Sequence, residues 1–199
     1  MILTMINEDE NPRALSQGNE STTKRRKMIK KNLMWVGALL PENIARDVVA
    51  ICKEENHSAH LSEDMFKYPL YVSLNESFEA HDYETTHQAI LDFIHSHGPI
   101  TCHMETPAQN TRRVYLPVTP TGDIITWHNE FDQLLERLDI DIDDYDRNYD
   151  PHVTLFRGAR RLQCIEMQRL LFTRIPAMDL TLNRFVIEAS HHEDEYITL

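Results

Sequence analysis

Residues 68–78, "YPLYVSLNESF", and residues 150–158, "DPHVTLFRG", are near twins. Aligned on "VSL" and "VTL", they set Ser73 opposite Thr154 and, two residues earlier, Tyr71 opposite His152. Each stretch alternates as a half-buried strand does: Leu70, Val72 and Leu74 against Tyr71, Ser73 and Asn75, and Val153 and Leu155 against His152 and Thr154. The spacing therefore puts His152 and Thr154 on one face of the second strand, and Tyr71 and Ser73 on one face of the first.

Periodicity outward from the twins predicts the other elements. "NLMWVGALL" (32–40) reads as a buried strand, and "PENIARDVVAICKEE" (41–55) as a helix with Pro41 in its first turn, Glu42 near its positive end, and Ile44, Val48 and Ile51 at helical spacing. Residues 56–67 read as a polar connection. "HDYETTHQAILDFIHSH" (81–97) is a second helix, with Ala89, Ile90, Phe93 and Ile94 as its apolar stripe and Gly98-Pro99 as its stop. Strands over "ITCHME" and "TRRVYLPV" lead to a third helix, striped through Ile124, Trp127, Phe131, Leu134, Leu135 and Leu138. An acidic loop, "DIDIDDYDRNYD", precedes the second twin. A fourth helix ("LQCIEMQRLLF"), one long strand ("MDLTLNRFVIEAS") and a short one ("EYITL") end the chain. Strands and helices alternate twice in similar order, which predicts an α+β fold of two related lobes with a twin strand at the centre of each.

At 199 residues the chain suits one folded domain, expected over residues 32–199 behind a flexible extension, residues 1–31. The net charge is −12, yet residues 1–32 carry +3, so the remainder carries −15. Such an acidic body disfavours long duplex nucleic acid, whose affinity comes from neutralising many phosphates, and leaves room for a small phosphorylated ligand in a local cationic pocket. "KRRK" at 24–27 reads as part of a solvated tail. No apolar run approaches a membrane span and the start lacks the order of a secretory signal, so a cytoplasmic protein is expected. Cys52, Cys102 and Cys164, odd in number and without a CxxC pair, read as reduced core thiols. Five glycines and the lack of GxGxxG, P-loop or GxSxG disfavour dinucleotide oxidoreductases, nucleotide triphosphatases and serine hydrolases.

The chemistry of the twins points to phosphate. A neutral imidazole takes a proton near pH 7 and its cation returns it, while a threonine hydroxyl donates to a phosphate oxygen. Arg157, Arg160 and Arg161 follow directly and supply positive potential. Of Arg112 and Arg113, one is expected in the cleft and the other in solvent. Tyr115, Trp127 and Phe156 are candidate base-stacking platforms, although the helical spacing of Trp127 also fits a core residue. His60 and His81 read as exposed side chains, and the histidines at 57–60, 95–97, 103 and 191–192 lack any zinc-site arrangement, so no metal is expected.

With both twins in place, the chain resembles the 2H phosphoesterase superfamily, the LigT-like or 2′-5′ RNA ligase-like proteins, marked by two h-H-x-[ST]-h motifs on paired strands. The resemblance runs over residues 33–199 through "MWVGALLPENI", the degenerate "LYVSL", "RRVYLPV", "DPHVTLFRG" and "NRFVIEAS...EYITL". It implies a bilobal α+β fold with a central cleft and cleavage of 2′,3′-cyclic phosphates or of 2′-5′ or cyclic oligonucleotides without metal or other cofactor. Carried over by position, the resemblance implies that His152 is a general acid or base and that Thr154 and Ser73 hold phosphate oxygens; Arg157, Arg113 and Tyr115 are the expected substrate-binding residues on the chemistry of their own side chains. A monomer acting on a small nucleotide is the expectation. Tyr71 departs from the pattern, since a phenol with a pKa of about 10 is a poor base at neutral pH. Three roles are open to it: a proton donor, a bystander in a slow enzyme that works through His152 alone, or part of a site that only binds. The last would make the protein a nucleotide or RNA-end binder of the same fold, including a phage-type protein that captures or degrades cyclic nucleotide defence signals.

Overall fold

The computed structural model describes residues 32–75, 77–142 and 149–199. The expected extension with its "KRRK" cluster, Glu76 of the first twin and residues 143–148 of the acidic loop lie outside the described residues.

In chain order the elements are β1 (Leu33–Leu39), α1 (Glu42–Ala59), a 3-10 turn (Asp64–Lys67), β2 (Tyr71–Ser73), β3 (Phe78–Glu79), α2 (Tyr83–His97), β4 (Ile100–Met104), β5 (Ala108–Gln109), β6 (Arg113–Thr119), α3 (Gly122–Arg137), β7 (His152–Arg157), α4 (Arg161–Phe172), β8 (Met178–Leu182), β9 (Arg184–Ala189) and β10 (Glu195–Thr198). They form two antiparallel five-stranded sheets. The first runs β10-β9-β1-β2 with β3 also paired to β1; the second runs β5-β6-β4-β8 with β7 paired to β6. The expected α+β class with two antiparallel sheets and four helices is present.

Three expectations change. The long final strand is two: β8 pairs with β4 in the second sheet and β9 with β1 in the first, so the chain crosses between sheets at Asn183, whose carbonyl accepts from Leu199 N at 2.9 Å. The first helix continues four residues past Glu55. Asn56 is buried, and its side-chain amide donates to Leu61 O and Glu63 Oε1 while accepting from Leu61 N, which replaces the water that a polar connection would have used. His60 then closes the helix in the left-handed region at φ 50°. Finally, the twin strands β2 and β7 sit at the edges of their sheets and not at the centres, and they lie side by side where the two sheets meet.

Apolar stripes on the helices cover the sheets. Ile124, Trp127, Phe131 and Leu135 of α3, and Ile90, Phe93 and Ile94 of α2, are all buried. Trp127 stacks on Phe131 and meets the edge of Phe93, so it is core and not a base platform. Asp82 caps α2 by accepting from Thr85 N at 3.4 Å, and Gly98, at φ 72°, ends it. The cysteines are buried and free; burial pushes the Cys52 thiol up to about 12 and Cys102 to about 11, so both stay protonated. No described helix is long and apolar enough to cross a membrane.

Candidate active site

β2 pairs with β1 through Gly37↔Ser73, Ala38↔Val72 and Leu39↔Tyr71. Val72, Ala38 and Val36 enter the core, which turns Tyr71, Ser73, Gly37 and Trp35 to the opposite face. Gly37 has a steric purpose: a Cβ there would lie 2.3 Å from Trp35 Cζ3 and 3.2 Å from Tyr71 Cδ2. Without it, the Trp35 indole folds across β1 and meets Tyr71, with ring centroids 4.5 Å apart and planes tilted 36°. Across β1 and β9, Trp35 pairs with Glu188 and its Nε1–H donates to Glu188 Oε2 at 2.8 Å. Gly37→Ala is expected to push the indole off this position, lower stability by about 1–3 kcal/mol and shift tryptophan fluorescence; a thermal melt and an emission spectrum check it.

β7 is shaped by its pairing with β6. Pro117 faces His152, Leu116 faces Val153 and Tyr115 faces Thr154; the register then slips by one before Val114 meets Phe156 and Arg113 meets Arg157. Strict alternation would put Phe156 beside His152 and Arg157 on the far side. The slip reverses both. Phe156 is fully buried, edge-on to Phe66 at 5.2 Å, which corrects its reading as a stacking platform. Arg157 joins Arg113, Tyr115, Thr154 and His152 on one face.

The hydrogen bonds of His152 fix its tautomer. Nδ1 lies 2.7 Å from Asp150 O, which can only accept, so Nδ1 carries the hydrogen. Nε2 lies 2.9 Å from an Arg113 guanidinium nitrogen, which can only donate, so Nε2 presents its lone pair. The ring is 8% exposed and edge-on to Tyr115 at 5.4 Å, and Arg113 sits 5.4 Å from the Tyr115 ring centre. Burial holds His152 below the ordinary imidazole value of 6.5; the Asp150 carbonyl opposes this, while the charges of Arg113 and Arg157 add to it. The ring is thus kept neutral near pH 7.

The folded chain binds this proton less tightly than the unfolded one. Its contribution to stability is therefore complete above about pH 6.5 and declines as pH falls through that value. Arg113→Gln removes a nearby positive charge and is expected to raise the His152 midpoint towards 6.5 in an NMR titration. A parent midpoint at or above 6.5 would contradict the electrostatics described.

Two residues that periodicity did not single out hold the seam between the sheets. The Tyr149 hydroxyl donates to Ser73 O at 2.9 Å, and His128 Nδ1–H donates to Leu74 O at 2.8 Å, with the two rings stacked at 3.9 Å. These bonds satisfy carbonyls of the first twin from the second half of the chain. Their only sequence signal is the position of Tyr149, three residues before His152. No protein hydrogen bond to the Ser73 or Thr154 hydroxyl is present among the described residues, which leaves both able to donate to a ligand oxygen.

A cleft of about 320 Å³ opens on the outer face of the first sheet, lined by Trp35, Tyr68, Tyr71, Tyr196, Glu188 and Arg157 among others. His152 is not on its wall; Arg157 belongs to both. Arg160 and Arg161 open α4 and do not line the cleft. His60 and His81 are exposed, as the sequence suggests. The clustered histidines are engaged locally: His97 with Glu130, His103 with Asp179, and His192 stacked on Tyr83. Among the described residues no three His, Cys, Asp or Glu side chains gather as a metal-holding group.

No family model matches the chain, and neither does any curated protein. Solved structures do. Escherichia coli LigT in complex with 3′-AMP superposes with a TM-score of 0.59 at 16% identity, covering 85% of this chain and 96% of that one. A phosphoesterase structure gives 0.57 at 16% identity over the same shares, and the PDE domain of MHV ns2 gives 0.51 at 13%, covering 85% and 99%. At these identities the likeness establishes the fold, that of the LigT-like 2H phosphoesterases.

Proposed function

We propose that the protein is a metal-independent phosphodiesterase acting on 2′,3′-cyclic phosphates or on 2′-5′ or cyclic oligonucleotides, with one histidine and one tyrosine where two histidines would stand. The observation that carries this is the state of His152: a buried neutral imidazole whose Nε2 accepts from Arg113, with Thr154 and Arg157 on the same face of β7 and the Ser73 strand, β2, lying alongside. The solved LigT structures with 3′-AMP, ATP and NADP+ support a small nucleotide as ligand.

In the proposed reaction a water oxygen attacks phosphorus as Nε2 of His152 takes its proton. Arg113 first leaves Nε2 for a phosphate oxygen, so substrate binding itself frees the base. Arg157 and the Ser73 and Thr154 hydroxyls hold the remaining oxygens. The new P–O bond forms as the bond to the 2′ or 3′ oxygen breaks, and that oxygen takes a proton from the Tyr71 phenol. The direction follows from the groups themselves, because the neutral imidazole offers a lone pair at Nε2 and the phenol offers an O–H, so the imidazole serves as the base and the phenol as the acid. Solvent then returns the proton to Tyr71 and accepts the one on His152.

A second reading has an observation of its own. The Tyr71 ring is packed against Trp35, which suits a nucleotide-capturing cleft as well as a catalytic one. Incubation of 2′,3′-cyclic nucleotides, 2′-5′ oligoadenylate and cyclic dinucleotides with chelated protein separates the two. The phosphodiesterase reading expects a phosphomonoester product from at least one of them; saturable binding with no product from any would leave the capturing protein.

A further inference from the structure

We propose that the corner formed by Trp35, Tyr71 and Glu188 is a purine-base subsite that prefers guanine over adenine and both over uracil. It rests on the proposed phosphodiesterase reading only for the phosphate end of the ligand.

The strand order fixes the layout. Tyr196 on β10, Glu188 on β9, Trp35 on β1 and Tyr71 on β2 line the cleft in succession, and Arg157 on β7 borders it beyond β2. Two strand spacings, roughly 10 Å, separate β9 from β2. The cleft is polarised along this line: its cation, Arg157, stands at the β7 end, and the carboxylates of Glu188 and Asp194 stand at the other. A nucleotide entering it has one favourable direction, with phosphate towards Arg157 and the base towards the carboxylates.

A base that meets a carboxylate must offer donors. Glu188 Oε2 accepts one bond, from Trp35 Nε1, and keeps a second lone pair; Oε1 has no hydrogen bond among the described residues. Guanine presents N1–H and an N2 hydrogen side by side, matching the two oxygens of a carboxylate. Adenine presents the N6 hydrogens beside an N1 lone pair, which the carboxylate repels. Uracil presents a single N–H between two carbonyls, the poorest match. The indole and phenol supply the stacking surface, and the bond to Glu188 holds the indole in place. A histidine at position 71 would give a smaller ring against Trp35, so the residue that departs from the twin pattern is also the one that builds this wall.

The test is calorimetric titration of chelated full-length protein with 3′-GMP, 3′-AMP, 3′-UMP and ribose 5-phosphate, repeated with Glu188→Gln. The parent is expected to bind 3′-GMP about 10-fold or more tighter than 3′-UMP, with 3′-AMP between them. Glu188→Gln removes a negative charge and strengthens every phosphate ligand, so the readout is the ratio, which should fall to within about 3-fold. In parallel, the Trp35 indole N–H resonance should shift with 3′-GMP and not with ribose 5-phosphate. Equal affinity for all four ligands, with cyclic substrates still cleaved, overturns the base subsite and leaves the phosphodiesterase reading standing. Absence of binding by any of them, together with absence of cleavage, overturns both.

Discussion

His152→Ala is expected to lower turnover of a 2′,3′-cyclic nucleotide by about 10³-fold at saturating substrate, the usual scale for loss of a positioned general base. The loss should fall on kcat. Arg113 and Arg157 remain to hold phosphate, and Arg113 no longer has to leave Nε2 to do so, so KM should change by less than about 10-fold. A thermal melt separates chemistry from folding, since the deletion empties a buried site and leaves the Asp150 carbonyl without its donor. A fall in kcat of less than 10-fold would remove His152 from the role of base.

Tyr71→His is expected to act in the opposite sense. The leaving oxygen would receive its proton from an imidazolium with a pKa near 6.5, a stronger acid than a phenol and one that recharges at working pH. A rise in kcat of about 10- to 100-fold should follow. The same change shortens the aromatic wall against Trp35, so KM should rise as well. The pH profile should also change form. In the parent only the His152 limb lies below neutral pH, with rate lost as pH falls through the His152 midpoint, below 6.5. In Tyr71→His a second limb should appear on the alkaline side as the new acid loses its proton. An unchanged kcat would mean that position 71 takes no part in proton transfer.

The elements were legible wherever side-chain period alone decides them. Helix stripes such as Ile124, Trp127, Phe131 and Leu135, and the alternation about Val72, depend on neighbours in sequence, and the structure keeps them. What was hidden depends on partners far away in the chain. Nothing in "MDLTLNRFVIEAS" marks Asn183 as the point of transfer between sheets, because both halves alternate correctly and only the pairing partners differ. The register slip against β6 is likewise silent in "HVTLFRG", yet it exchanges the fates of Phe156 and Arg157. Asn56 reads as a loop residue until Leu61 and Glu63 are seen to satisfy its amide.

The site divides in the same way. The shared face of His152 and Thr154, and that of Tyr71 and Ser73, were readable because two copies of one short pattern fix them, and Arg157 because it follows the second copy directly. Arg113 and Tyr115 were readable only as candidates on their own strand, and the β6–β7 pairing brings them to His152. Trp35 and Glu188, 153 positions apart, were not. Their juxtaposition follows from the β1–β9 register and from the space above Gly37, neither of which has a signature in a single sequence.

The most direct test of a one-histidine phosphodiesterase is the initial rate of 2′,3′-cyclic GMP hydrolysis in excess chelator, measured side by side for the parent, His152→Ala and Tyr71→His. Such an enzyme gives measurable turnover in the parent, a loss of about 10³-fold in the first variant and a gain of at least about 10-fold in the second. Turnover that disappears with chelator, or that survives in His152→Ala, would contradict it.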